Sequence, residues 1–126
     1  MSFLSTRVVT SLAESAIWDT HRAFYSQHGT SSWESLVPSQ VTTSSFIAQR
    51  YAHAIIAYMQ DCDAHGYSGD FHVVEIGAAL GKFSYRCLQH VEHLCTQRGF
   101  DFSRVTYHMT DCSSAVREFW ETQPQL

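Results

Sequence analysis

The sequence predicts an α/β fold in which N-terminal helices precede a β-α-β-α unit with one parallel strand pair. Two apolar, β-rich runs, Phe71 to Ile76 and Phe102 to Asp111, flank a stretch of helical periodicity that starts at Gly81 and stops at Gly99. A strand, a crossover helix and a second strand in that order imply parallel pairing with a right-handed connection. At 126 residues, 44% hydrophobic and 16% charged, the chain has the apolar content to bury a core.

From Ser11 to Gln27 the apolar residues Leu12, Ala16, Ala23 and Phe24 recur near the helical period, and Gly29 breaks the pattern. Gln27 to Gln40 is polar and includes Val37-Pro38; it reads as a loop anchored by Trp33 and Leu36. Ser44 or Ser45 can cap a second helix whose stripe is Ile47, Tyr51, Ala54, Ile55, Tyr58 and Met59, ending near His65-Gly66. The turn Gly66-Tyr67-Ser68-Gly69-Asp70 leads into the first strand, which reads as buried. In the crossover helix Phe83, Cys87, Leu88, Val91 and Leu94 share a side. In the second strand Val105, Tyr107 and Met109 alternate with Thr106, His108 and Thr110. Ser113 or Ser114 opens a last helix through Phe119 and Trp120, ending near Pro124.

Composition excludes several functions. A net charge of -4, with eight scattered Lys and Arg residues, gives no footprint for nucleic acid. No apolar run reaches the roughly 20 residues of a membrane span, and the N-terminus does not read as a secretory signal. Four cysteines without short paired spacing read as free thiols, so a cytoplasmic protein is expected. Cys87, His90, His93 and Cys95 fall on one helix, with Cys62 and His65 elsewhere. Four residues precessing around one helix cannot converge on an ion, so no metal site is expected.

The junction Glu75-Ile76-Gly77-Ala78-Ala79-Leu80-Gly81 lies where strand becomes helix. Glycines there permit a tight turn and a close backbone approach to a ligand at the helix start. A dinucleotide fingerprint would need glycine at 79 and glycine or alanine at 82; Ala79 and Lys82 stand there instead. Asp111 ends the second strand, where an acid can accept from ribose hydroxyls or can cap the following helix.

Strand, acid, glycine loop, helix, strand and acid in this order resemble the cofactor half of class I S-adenosylmethionine (SAM)-dependent methyltransferases, over roughly Phe71 to Pro124. The resemblance implies a partial Rossmann-like unit, an incomplete methyltransferase fold, with a helical cap over residues 1–69 and the first half of the SAM domain over 70–126. It implies that Glu75 lies near the amino-acid end of SAM, that Gly77, Ala78, Ala79 and Gly81 pass beneath it, and that Asp111 holds the ribose. S-adenosylhomocysteine would be the product. Ala79 departs from the family's middle glycine. More loosely, Tyr25, Trp33, Pro38 and Phe46 of the cap could approach the methionine or adenine, or serve as ordinary anchors. The family's sheet has seven strands with the first one central, and two are recognisable here. The expected function is therefore SAM binding without methyl transfer by the isolated chain, whose acceptor is open. The open edge of strand 71–76 would be covered by the rest of an enzyme or by a second copy. The alternative is a degenerate, homodimerising methyltransferase-like module without activity.

Overall fold

The computed structural model describes residues 11–32, 36 and 38–124. A single turn of 3-10 helix, Leu12–Glu14, precedes α1 (Ile17–His28) and α2 (Ser45–Ala64). Then come β1 (Phe71–Ile76), α3 (Lys82–Arg98), β2 (Val105–Thr110) and α4 (Ser114–Glu121). The two strands pair in parallel, with Phe71 opposite Val105 and Ile76 opposite Thr110. The class is mixed α/β with a two-stranded parallel sheet.

Local chemistry sets the boundaries. The helical pattern expected from Ser11 begins only at Ile17, because Ser15 is extended and its Oγ accepts the Ile17 N–H at 3.3 Å. Ser44 opens α2 by accepting the Ile47 N–H at 3.4 Å. Gly81 and Gly99, both left-handed, bracket α3. The second strand is shorter than expected: Phe102–Arg104 is a 3-10 turn, initiated by the Asp101 carboxylate, which accepts the Ser103 N–H at 2.9 Å.

The core lies between α2, α3 and one face of the sheet. Ala48, Ala52, Ile56 and Met59 from α2 meet Cys87, Val91, Leu94 and Cys95 from α3, with Phe71 at the strand start. The expected stripe on α2 is therefore displaced. Alanines at 48 and 52 let the two helices approach closely, and the larger Tyr51 and Tyr58 stay 58% and 64% exposed on the side toward β1. Cys87 and Cys95 are both buried in the face of α3 that meets α2. The core draws on residues from both sides of the boundary expected at 69/70.

Two other expectations fail for lack of cover. None of the residues of α1 is buried. Leu36, expected to anchor the loop that follows α1, is exposed, and Trp33 lies outside the described residues. The strand expected to be buried on both faces is covered on one: Phe71, Val73 and Glu75 face the helices, whereas Val74 and Ile76 are 59% and 90% exposed. At the start of the sheet Arg104 ties the pieces together. It binds both Asp63 oxygens at 2.8 and 3.1 Å, donates to the Gly69 carbonyl and lies 5.0 Å over the Phe71 ring.

Candidate functional site

The strand ends, the glycine loop and Asp111 meet at one end of the sheet, where open α/β folds place their ligands. Three alternate loop residues have positive φ: Gly77 at 77°, Ala79 at 49° and Gly81 at 73°. At Gly77 an added Cβ would meet nothing within 4 Å, so conformation rather than space selects glycine there. Ala79 adopts the same region against the preference of an L-residue. Its backbone is held on both sides: its N–H donates to Asp111 Oδ2 at 3.1 Å, and its carbonyl accepts from Trp120 Nε1 at 2.7 Å. The Gly77 and Ala78 N–H groups both donate to the Thr110 carbonyl at 2.9 Å, and Gly81 N–H donates to the Ala78 carbonyl.

Asp111 is half-buried and already engaged. Besides holding Ala79, its Oδ1 accepts the Ser113 N–H at 2.9 Å, shaping the turn into α4. The carboxylate thus joins the glycine loop to the start of α4. Tyr25 of α1 lies beside it; burial, then the charges of Asp111 and Cys112, push the phenol above its ordinary pKa. Of the other aromatics named for the cap, Phe46 is exposed beneath the Arg50 guanidinium at 5.0 Å, and Pro38 is exposed.

Glu75 belongs to a different cluster, on the helix-covered face of the sheet. Its Oε2 accepts from Tyr107 Oη at 2.9 Å and from Ser84 Oγ at 2.5 Å. Burial and the Glu75 carboxylate raise the Tyr107 pKa far above its ordinary value, so the phenol stays a neutral donor. Burial first, then Glu75, push Cys87 up to about 11, which keeps it a thiol at neutral pH. Tyr107, Ser84 and Trp120 were missed as site residues. The two-residue alternation carried a signal for Tyr107, which sits opposite Val73 in register and so shares the face of Glu75.

A cavity of about 590 Å³ opens beside this cluster. Its walls are Ile47, Tyr51 and Ile55 of α2, the run from Val73 to Leu80, and Lys82 and Phe83 at the start of α3. Glu75, Gly77, Ala78 and Ala79 all line it; Asp111 does not. A second cavity of about 650 Å³ adjoins it along α2, sharing Tyr51, Ile55 and Val73 and reaching His65, Asp70 and His72. Both fall within the size range of small-molecule sites.

Comparison with protein-family models, curated proteins and solved structures finds no significant match to this chain. Among the described residues no group of three or more His, Cys, Asp or Glu side chains is placed to hold a metal ion. His90 bonds Ser45 at 2.9 Å and His93 bonds Gln97 at 2.9 Å, so the two helix histidines serve separate neighbours. No described helix is long and apolar enough to cross a membrane.

Proposed function

We propose that the glycine loop and its two acids bind SAM, and that the chain is the cofactor half of a methyltransferase of class I type with an unassigned methyl acceptor. The observation that carries this reading is the loop Gly77–Gly81 with its three left-handed residues, tethered through Ala79 to the acid that follows β2 and bordered by a ligand-sized cavity that also receives Glu75. The residues fit the group. Both hydrogen bonds to Glu75 fall on Oε2, leaving Oε1 as a further acceptor for the cofactor's ammonium. Asp111 has acceptor capacity beyond its two backbone partners for ribose hydroxyls, as an ionised carboxylate accepts up to about four hydrogen bonds. Bound SAM would supply the methyl group; the chain's own residues would bind and orient the cofactor.

Isothermal titration of the chain with SAM and with S-adenosylhomocysteine tests the proposal. Saturable binding that weakens about tenfold or more (about 1.4 kcal/mol) in both Glu75→Gln and Asp111→Asn supports it. No heat up to millimolar ligand sinks it.

A second reading has its own support. The N–H groups of Gly77, Ala78 and Ala79 already donate within the chain, and among the described residues β1 pairs on one edge only. On this reading the chain is a methyltransferase-like module without activity that pairs β1 edges with a second copy into a continuous four-stranded sheet. A strictly monomeric mass by light scattering at high concentration would refute it.

A further inference from the structure

The sheet face opposite α2 and α3 carries a constellation that the loop and its acids do not use. His72 of β1 pairs in register with Thr106, and His108 of β2 pairs with Val74, so the two histidines are diagonal neighbours on the uncovered face. Their rings stack at 28° with centroids 5.2 Å apart, and His72 Nδ1 lies 3.0 Å from His108 Nε2. Both side chains are exposed.

We propose that His72 and His108 form a two-imidazole site for a divalent transition-metal ion of the copper, nickel or zinc kind. The spacing is the first argument. Metal–imidazole bonds of about 2.0–2.1 Å, meeting at angles between square and tetrahedral, separate two donor nitrogens by about 2.9–3.4 Å. The two nitrogens already stand at that separation, and only ring rotation is needed to turn their lone pairs from each other toward a common point. Rigidity is the second argument. Each histidine sits inside the six-residue ladder of paired backbone, so the backbone is already fixed and only side-chain rotation remains to be lost when the ion binds.

The proton balance is simple. In the present hydrogen bond one ring donates its N–H to the other. The ion takes that position, and the donating ring moves its proton to its other nitrogen through solvent. Imidazole donors select copper, nickel and zinc over magnesium and calcium, with copper strongest. With two protein ligands, water fills the remaining positions, so the site is exchangeable and open to a further donor. It lies across the sheet from Glu75, so its failure would leave the SAM reading untouched.

The test uses the full, tag-free chain carrying Cys112→Ser, which removes an exposed thiol. Titration with Ni²⁺ should show a site that raises the unfolding temperature. His72→Ala and His108→Ala should each weaken it at least about tenfold, the range found for lesser perturbations of metal sites, and the double variant, with neither imidazole left, should abolish it. His93→Ala, exposed on α3, should leave it unchanged. Because both histidines are exposed, each variant should match the parent's unfolding temperature without metal. Copper bound to the parent should show electron-paramagnetic nitrogen splitting from two imidazoles, and copper bound to either variant should not. One ion per chain, or one per two chains with the same histidine dependence, supports the site. Absence of binding at millimolar Ni²⁺, or binding indifferent to both histidines, overturns it.

Discussion

Ala79 offers a perturbation whose sign and size follow from the backbone alone. Its φ of 49° places an L-residue in the left-handed region, which costs roughly 1–2 kcal/mol. Glycine has no such penalty but brings about 0.4–1 kcal/mol of extra unfolded-state entropy. Both hydrogen bonds that fix the residue use its backbone, the N–H to Asp111 and the carbonyl from Trp120, and glycine keeps them. Ala79→Gly should therefore stabilise the chain by about 0.5–1 kcal/mol. Ala79→Val should destabilise it by about 2 kcal/mol or more, since a β-branched side chain tolerates positive φ still less. Urea unfolding followed by circular dichroism reads both, with midpoints moving in opposite directions at constant slope. A loss of 1 kcal/mol or more in Ala79→Gly would refute the argument, because it would mean that the methyl is held by packing rather than tolerated against strain.

Three further outcomes follow. Ile56→Ala, at a fully buried position of α2, should cost about 2–5 kcal/mol, whereas Tyr58→Ala on the same helix should change the urea midpoint little; the reverse order would mean that the helix buries its tyrosine face. Arg104→Met should lower the thermal midpoint at pH 7, and the gap to the parent should narrow in acid, the remainder being the Gly69 carbonyl and Phe71 contacts. The Arg104 guanidinium holds the Asp63 carboxyl below its ordinary range, so the stability from this pair is present above about pH 3.9 and is lost as pH falls through the lower folded value. Alkylation of the native chain at neutral pH should label Cys112 rapidly and leave Cys87 and Cys95 for unfolding to expose, with mass spectrometry reading the order.

The β-α-β order and the parallel pairing were legible because glycine punctuates the chain between elements, whereas the register comes only from the structure. Gly77, Gly81 and Gly99 occupy the left-handed positions that end one element and start the next. The face of α2 was not legible, since a count of large apolar residues favours Tyr51 and Tyr58 over Ala48 and Ala52. Close approach of two helices selects small residues, and only the partner helix reveals which side that is. At the site, the meeting of Asp111 with the loop followed from chain order, as each ends or follows one of two adjacent parallel strands. The engagement of Glu75 by Ser84 and Tyr107 did not, because it depends on how α3 lies across the sheet. The meeting of His72 and His108 was not legible along the chain, because strand pairing creates it across 36 positions of sequence.

The two faces of the sheet state what kind of cover it needs. On the face away from α2 and α3, β2 presents Thr106, His108 and Thr110, which are at home in water. β1 presents Val74 and Ile76 there, 59% and 90% exposed, beside its open edge. Each such side chain would contribute about 1.5–3 kcal/mol if fully buried. A partner should therefore lie against β1 and leave the polar strip of β2 free; two copies paired edge to edge would set these side chains beside cross-strand neighbours on the same face and bury them in part. Ile76→Lys separates this account from ordinary core packing. In dilute solution it should change unfolding free energy by no more than about 0.5 kcal/mol, and at high concentration it should abolish any dimer seen for the parent by sedimentation. A larger destabilisation of the dilute chain would mean that Ile76 is buried within the fold, and the demand for a partner at this edge would fall with it.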